Sequence, residues 1–587
     1  MADPTWRIRS DAKRQAILDA IPQKWRLTEP VPPPTEVRDV TGSYICKYLD
    51  AQEIEITESD AVDIAAKTTT GQWSAVKVTE AFCHRAALAH QLVSCLHEIF
   101  FDAAIEDAKK LDQYFAEHKA PIGPLHGLPV SLKDQFHVKG VETTMGYVGW
   151  INTFQGIPND PRRGTEESEL VRELRSLGAV LYCKTSVPAT LMSGETVNNI
   201  IGYTWNPKNR LLSCGGSSGG EGALLALRGS PVGFGSDIGG SIRIPAGFNF
   251  LYGLRPSSGR IPYQGVANSM DGQNSLLSVL GPLAPTARSL TFVFKSVLST
   301  EPWFHDPLVL ELPWRDVMVD QTRELIQKKQ RQHVFGVWYY VLRWLCPDPS
   351  AHSSRYEASR TDFEETGTYG DPLDSPLSCK GPRSCCKLLI SQQHPYLSGR
   401  SGDINLQQSE IYGMDGGVDL RHHFGLSGEE QAPQVIVDQD GVEMKASAIA
   451  QLNIAKREYQ KEYMDYWNST AQLTGTGRPV DGFICPIAPH AAVIPQQYRH
   501  VGYSSFVDVL DYPSVTIPVT HANKSVDVRP ANAPAASLEP HVEWDYDADT
   551  YDGAPVAVQL VGRRLQEEKM LTLAEYIGEE IARELKK

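Results

Sequence analysis

The stretch that decides the fold runs from Cys214 to Ala246 and reads CGGSSGGEGALLALRGSPVGFGSDIGGSIRIPA. It holds two glycine-flanked serine sites, one at Ser217-Ser218 and one at Ser241. Glycines permit positive φ and let backbone N–H groups approach a ligand closely, which is how a loop forms an anion or oxyanion cradle. A single loop of this kind is more often a simple turn of the chain. Two of them, joined by one helix and one strand, indicate a functional site.

The segments around this stretch alternate between helix and strand patterns. Helical periodicity predicts a helical N-terminal layer over about residues 10–118, and short apolar runs between helix-like segments predict buried strands. The elements predicted after that layer are 128–132, 166–177, 179–183, 220–228, 231–235, 446–466, 482–486, 515–519 and 566–584. This alternation is typical of an α/β layered fold.

Composition excludes several classes of protein. The 587 residues include 41% hydrophobic residues, enough for a sizeable core, and their net charge of −15 disfavours a nucleic-acid partner. No run reaches the roughly 18 apolar residues of a membrane span, and the charged N-terminus lacks the apolar region of a secretory signal, so we predict a cytoplasmic protein. The ten cysteines lack CxxC spacing, which predicts reduced thiols and no metal site.

The motif G-x-S-x-G occurs at residues 215–219 and again, overlapping, at 216–220. In α/β-hydrolases this motif forms the nucleophile elbow and directly follows a buried strand, whereas the residues before it here, TWNPKNRLLSC, indicate a loop. A histidine-based triad also needs a partner, and the nearest candidates, His126 and His490, fit structural or surface positions better. The Ser-His-Asp interpretation stays open as a minor alternative.

The blocks GGSSGGEGA, GSDIGGSIRIPAGFNFLYGLRPSSGRIPYQG and GLPVSLKDQF closely resemble the amidase signature family. The flanking DYPSVTIPV and PVAVQLVGRR are most similar to its fungal acetamidase-type general amidases, and the resemblance covers about residues 15–335 and 410–587. It implies one domain over 1–587, with a signature core at about 121–300 and a single large mixed β-sheet covered by helices on both faces.

The same resemblance implies a function. The expected reaction is hydrolysis of the linear C–N bond of a small-molecule amide to a carboxylate plus ammonia or amine, without metal or cofactor. Two alternatives stay open: an amidotransferase-type subunit of a larger complex and a catalytically impaired family member. A homodimer stays open as the assembly state.

The resemblance assigns a Ser-Ser-Lys triad. Ser241 is the nucleophile that carries the acyl group, Ser217 is the bridging serine held by a cis peptide, and Lys133 is the base. A serine hydroxyl is a weak nucleophile until a base removes its proton. Lys133 follows the apolar run LPVSL, which predicts a buried strand end where desolvation lowers the lysine pKa. We expect the neighbouring Asp134 to point away, because a facing carboxylate would raise that pKa.

Further residues are expected around the triad. The expected oxyanion and substrate-binding residues are Ile238, Gly239, Gly240, Ser241, Ser217, Leu191, Met192 and Ser193. The expected supporting residues are Ser218, near Lys133, and Asp237 and Arg243, as an ion pair that shapes the loop. Core packing stays an open alternative for Leu191 and Met192.

Two features depart from the family pattern. Phe250 stands where a small residue or glycine is common, and we expect it to crowd the packing behind the Ser241 loop. Residues 337–410 lose the resemblance and hold four of the ten cysteines. Our hypothesis is a retained intron or shifted reading frame, or else a family-specific insertion. Native peptides from 340–405 in mass spectrometry would contradict the gene-model hypothesis.

Overall fold

The structure, a computed structural model, describes residues 5–328, 410–435, 441–472, 477–498, 501–527 and 547–585. The helices are α1 Thr5–Asp19, α2 Ser43–Cys46, α3 Ala51–Glu58, α4 Ala61–Thr69, α5 Ala75–Val93, α6 Phe101–His118, α7 Glu169–Ser176, α8 Gly219–Ala226, α9 Arg243–Phe248, α10 Ala287–Leu298, α11 Asp316–Lys328, α12 Val418–Gly425, α13 Ala446–Ser469, α14 Gly502–Leu510, α15 Ala548–Tyr551 and α16 Glu567–Glu584. The strands are β1 Leu96–Ile99, β2 Pro129–Lys133, β3 Val180–Thr185, β4 Val197–Asn198, β5 Gly202–Tyr203, β6 Gly233–Asp237, β7 Tyr252–Arg255, β8 Val279–Ala284, β9 Phe483–Pro486, β10 Ser514–His521 and β11 Pro555–Val561.

Nine of these strands form one mixed sheet in the order β1-β3-β2-β6-β8-β7-β10-β11-β9. The central pairs β3–β2 and β2–β6 are parallel, and the other neighbours are antiparallel. The carboxyl ends of β2 and β6 therefore lie side by side. Both strands end in the residues expected at the site, Lys133 and Asp237.

Helices cover both faces of the sheet, as the alternation along β10 shows. Val515, Ile517 and Val519 belong to the same apolar cluster as the inner residues of α16. Between them, the Thr516 hydroxyl donates to the carbonyl of Arg243 in α9 at 3.4 Å. Because successive side chains of a strand point to opposite faces, α16 and α9 cover opposite sides. The predicted α/β architecture, a mixed sheet between helices, is confirmed.

The N-terminal layer is helical except for β1, which the helical pattern hides. Helix α5 ends at Ser94, whose φ of 57° is left-handed, and the chain then pairs antiparallel with β3. A strand of four residues is too short to interrupt a 3.6-residue pattern visibly. The sequence also predicts no strand at β7, β8 or β11.

Residues 337–409 of the segment that departs from the family lie outside the described residues, so the hypothesis about their origin stays a hypothesis. In the described part that begins at residue 410, Ile411 packs in an apolar cluster with Phe506 and Tyr512. The single-domain organisation stays a prediction. Among the described helices, none combines the length and apolar character needed to cross a membrane.

Candidate active site

Lys133 is the last residue of β2, and its side chain is completely buried. Its Nζ donates hydrogen bonds to Ser217 Oγ at 2.7 Å and to Ser236 Oγ at 2.8 Å. Burial lowers the pKa of Lys133 to about 7, although the carboxyl groups of Asp237 and Glu221 act in the opposite direction. An amine with such a pKa is partly neutral at neutral pH and can accept a proton.

Asp134 points away from Lys133, as the sequence predicts. Its carboxylate pairs with Lys184 Nζ at 2.5 Å and accepts the backbone N–H groups of Thr144 and Met145 at 3.3 and 3.0 Å. These partners hold the Asp134 charge away from the amine of Lys133.

Glu221, in the first turn of α8, is a second buried carboxyl group close to the site. It accepts hydrogen bonds from the hydroxyls of Ser131 at 2.6 Å and Thr185 at 2.9 Å. Burial raises the pKa of Glu221 to about 8, so its carboxyl group is mostly protonated at neutral pH.

The two serine sites meet at the N-terminus of α8. The Gly216–Ser217 peptide is cis, and the N–H of Ser218 donates to the carbonyl of Ser241 at 3.1 Å. The Ser218 hydroxyl donates to the Ser236 carbonyl at 3.4 Å. Ser218 therefore lies beside Ser217 and Ser236, the two serines that Lys133 contacts, which agrees with its expected place near the base.

The loop between β6 and α9 presents Ser241 and is organised by Asp237. The carboxylate of Asp237 accepts the N–H groups of Gly240 at 2.7 Å and Ile242 at 3.1 Å, and it pairs with Arg243 at 3.0 Å. Burial raises the pKa of Asp237, but the Arg243 guanidinium outweighs burial and brings it below its ordinary value. The pair is the loop-shaping ion pair that the sequence predicts.

The contact between Gly240 and Asp237 narrows the expected set of oxyanion donors. The Gly240 N–H already donates to a carboxylate, so its assignment as an oxyanion donor does not fit this structure. The described residues supply no acceptor for the N–H groups of Ile238, Gly239 and Ser241. These three remain the candidate donors.

A cavity adjoins the loop, and the empty space within it, including its opening to solvent, is about 370 Å³. Its lining residues are Thr190, Leu191, Met192, Ser217, Ser236, Ile238, Ser241, Asn268, Ser269, Met270, Gln273, Ser278 and Tyr412. Leu191 and Met192 thus lie in the cavity wall. Hydroxyl, amide and apolar side chains together line the cavity.

Two neighbouring residues make contacts that the sequence does not predict. Ser193 does not line the cavity, because its hydroxyl accepts the Glu195 N–H at 3.1 Å and its carbonyl packs against Gly216. Phe250 does not crowd the Ser241 loop but stacks on His521 with ring centroids 4.3 Å apart. Its φ of 60° is left-handed, which explains why glycine suits that position.

The sequence interpretation missed Ser236 and Tyr412. Ser236 could have been found from the parallel pairing of β2 with β6, which brings the ends of both strands together. Tyr412 carries no local signal. No histidine lines the cavity among the described residues, and no strand directly precedes Ser217, so the structure gives the Ser-His-Asp alternative no support.

Comparisons with known proteins identify the family to which this chain belongs. The chain belongs to the amidase family, whose model, described as Amidase, matches residues 77–571. The chain is 42% identical over 581 residues to an acetamidase of Aspergillus oryzae, with 98% of this chain and 99% of that protein covered. It is 41% identical over 584 residues to an acetamidase of Emericella nidulans, with 98% of each chain covered.

The solved structure of a fatty acid amide hydrolase has a TM-score of 0.77 and 27% identity, over 99% of this chain and 96% of that chain. The chain is therefore an amidase-family hydrolase of amides.

Proposed function

We propose that the chain hydrolyses a small carboxylic amide through an acyl-enzyme on Ser241, with Ser217 and Lys133 completing a Ser-Ser-Lys triad. The observation that carries the proposal is the 2.7 Å contact between Lys133 Nζ and Ser217 Oγ, in a cavity that Ser241 also lines. Similarity to two proteins named acetamidase supports a short acyl group.

In the acylation step, neutral Lys133 accepts the proton of Ser217 while Ser217 accepts the proton of Ser241. Ser241 Oγ then forms a bond to the amide carbon, and the carbonyl oxygen takes the negative charge. When the C–N bond breaks, the proton held by Lys133 returns through Ser217 to the leaving nitrogen. The amine departs neutral, and the acyl group stays on Ser241 as an ester.

Deacylation repeats the proton path with water. Water gives a proton through the Ser217 hydroxyl to Lys133 as its oxygen bonds to the acyl carbon. The Ser241 oxygen leaves and regains the proton, so the carboxylic acid is released and the triad returns to its initial state. Both steps create an oxyanion, and backbone N–H groups aimed at it contribute about 3–4 kcal/mol each.

Replacement of the nucleophile tests the proposal. Ser241→Ala is expected to abolish labelling by a fluorophosphonate probe and to lower acetamide turnover by at least about 10³-fold, because it removes the hydroxyl that carries the acyl group. Ser278→Ala, which changes another serine of the cavity wall, is the matched control and should keep both signals. Substantial turnover by Ser241→Ala would refute the mechanism.

The open alternatives have separate readouts. Labelling of the wild-type chain at Ser241 would contradict a catalytically impaired member, and turnover by the purified chain alone would contradict a dependence on partner subunits. The predicted cytoplasmic location and the homodimer stay predictions.

A further inference from the structure

The carbonyl groups of the loop before Ser241 are held by residues far away in the sequence. The Tyr412 hydroxyl donates to the Ile238 carbonyl at 2.7 Å, across 174 residues. The Ser504 hydroxyl donates to the Gly239 carbonyl at 2.5 Å, across 265 residues. Each of two successive peptide groups in this loop is therefore fixed on its carbonyl side.

Fixing a carbonyl also fixes the N–H group of the same peptide. A trans peptide is planar, and its C=O and N–H bonds point in opposite directions. Gly216–Ser217 is the single cis peptide in the described part of the chain, so the peptides after Ile238 and Gly239 are trans. The Tyr412 contact thus sets the direction of the Gly239 N–H, and the Ser504 contact sets that of the Gly240 N–H.

Of these two N–H groups, only that of Gly240 has an acceptor among the described residues. The Gly240 N–H donates to Asp237 Oδ1 at 2.7 Å. The peptide group that Ser504 holds therefore stabilises the loop itself. For the Gly239 N–H, held by Tyr412, the described residues supply no acceptor. Gly239 lies in the loop between Ile238 and Ser241, both of which line the cavity, as does Tyr412.

We propose that Tyr412 is a positioning residue that aims the Gly239 N–H at the oxyanion of the tetrahedral intermediate. The inference rests on the proposed function, since it takes Ser241 as the nucleophile. Glycine at 239 and 240 leaves these peptide planes free to rotate unless something outside the loop holds them. A donor that is already oriented stabilises developing charge without reorganisation at the moment of reaction.

The packing of Tyr412 fits this role. Its ring packs against two apolar clusters, one that contains Phe506 and one that contains Leu191. Contacts with both clusters hold the ring in place, so its hydroxyl is a fixed point for the Ile238 carbonyl. A side chain of this kind acts on turnover without touching the reacting atoms.

Tyr412→Phe tests the inference, because it keeps the ring and removes the hydroxyl. We expect kcat to fall about 10-fold or more, less than the roughly 10²–10³-fold seen when an oxyanion donor is lost, with KM within twofold. The inhibition constant of trifluoroacetone, which forms a tetrahedral adduct with a serine nucleophile, should rise by a factor similar to the fall in kcat. That of acetate, which forms no such adduct, should not change.

The pH midpoint of kcat/KM should also stay unchanged, since Tyr412 does not contact Lys133. Tyr459→Phe is the matched control. Tyr459 belongs to the apolar cluster that contains Phe506 and against which Tyr412 packs, and it makes no hydrogen bond to the 238–241 loop. Inhibition constants do not depend on the amount of active enzyme, so partial misfolding would not imitate the expected pattern.

The outcomes separate the inference from the proposed function. If wild-type enzyme reacts at Ser241 but kcat of Tyr412→Phe stays within twofold, the positioning role alone is overturned. An equal rise in the inhibition constants of trifluoroacetone and acetate would overturn it too, since a merely structural change weakens both. If Ser241→Ala retains turnover, the proposed function and the inference fall together.

Discussion

Two buried lysines lie at corresponding ends of neighbouring strands, and their partners differ. Lys133 ends β2, and Lys184 is the last residue but one of β3, which runs parallel to β2. Both side chains are completely buried. Each follows an apolar run, LPVSL for the first and AVLYC for the second. The sequence pattern of a lysine after an apolar strand therefore does not distinguish Lys133 from Lys184.

The partners decide what each amine can do. Lys184 Nζ lies 2.5 Å from Asp134 Oδ1 and donates to the carbonyl of Glu142 and the hydroxyl of Thr143 at 2.7 and 2.8 Å. A carboxylate compensates an ammonium for its lost hydration, whereas hydroxyl groups do so only in part. The amine of Lys133 meets hydroxyl groups, and burial lowers its pKa to about 7. Lys184 therefore suits a structural ion pair and Lys133 a base.

The largest effect that separates the two lysines is expected from Lys133→Met. Methionine fills a similar volume but cannot accept a proton, so kcat should fall about 10⁴-fold, as when a member of a catalytic triad is removed. The unfolding temperature should not fall, because an apolar side chain replaces a buried amine without a bound carboxylate. Steady-state turnover and thermal unfolding of the same preparation check both. A variant that keeps a tenth of the wild-type kcat would show that Lys133 is not the base.

The corresponding change in the second lysine, Lys184→Met, should act on stability. It leaves the Asp134 carboxylate buried without its cation, which typically costs about 3–5 kcal/mol. Denaturant unfolding measures that cost, and turnover per folded molecule should stay within severalfold of wild type.

The double variant Asp134→Asn with Lys184→Met should recover part of this loss, because it removes both charges together. A loss below about 1 kcal/mol in the single variant would contradict the ion-pair interpretation, since surface pairs reach that value.

At the residues expected to form the triad, local pattern and motif coincide. The glycine-rich turns around Ser217 and Ser241 and the apolar run before Lys133 are visible within a few residues. The structure brings Lys133 and Ser217 into contact and ties Ser218 to the Ser241 carbonyl. The catalytic roles of these residues stay predictions until they are measured.

What the sequence does not predict depends on packing between distant segments. Tyr412 and Ser504 reach the loop from 174 and 265 residues away, and neither lies in a recognisable motif. The side chain of Ser193 turns to the Glu195 N–H within its own loop, a direction that no periodicity sets. Strand β1 is hidden for a related reason, because four residues between two long helices carry no period of their own.

The smallest effect concerns the second hydroxyl at Lys133 and appears in the pH profile. Lys133 accepts a proton only when it is neutral, so kcat/KM should rise with pH to a midpoint near 7, the value to which burial lowers its pKa, and level off above it. In Ser236→Ala the ammonium loses one hydrogen-bond acceptor. A hydrogen bond to the charged form favours that form, so its removal should lower the midpoint, by less than about one unit.

Profiles of kcat/KM from about pH 5 to about pH 9 measure the midpoints, and both profiles should be sigmoidal with a single ionisation on the acid side. Ser278→Ala changes a cavity serine that makes no hydrogen bond to Lys133 and should leave the midpoint where it is. An upward shift in Ser236→Ala would mean that the Ser236 hydroxyl donates to the neutral amine. The lone pair of Lys133 would then be engaged by Ser236, and Ser217 would have to displace that bond before it could pass on a proton.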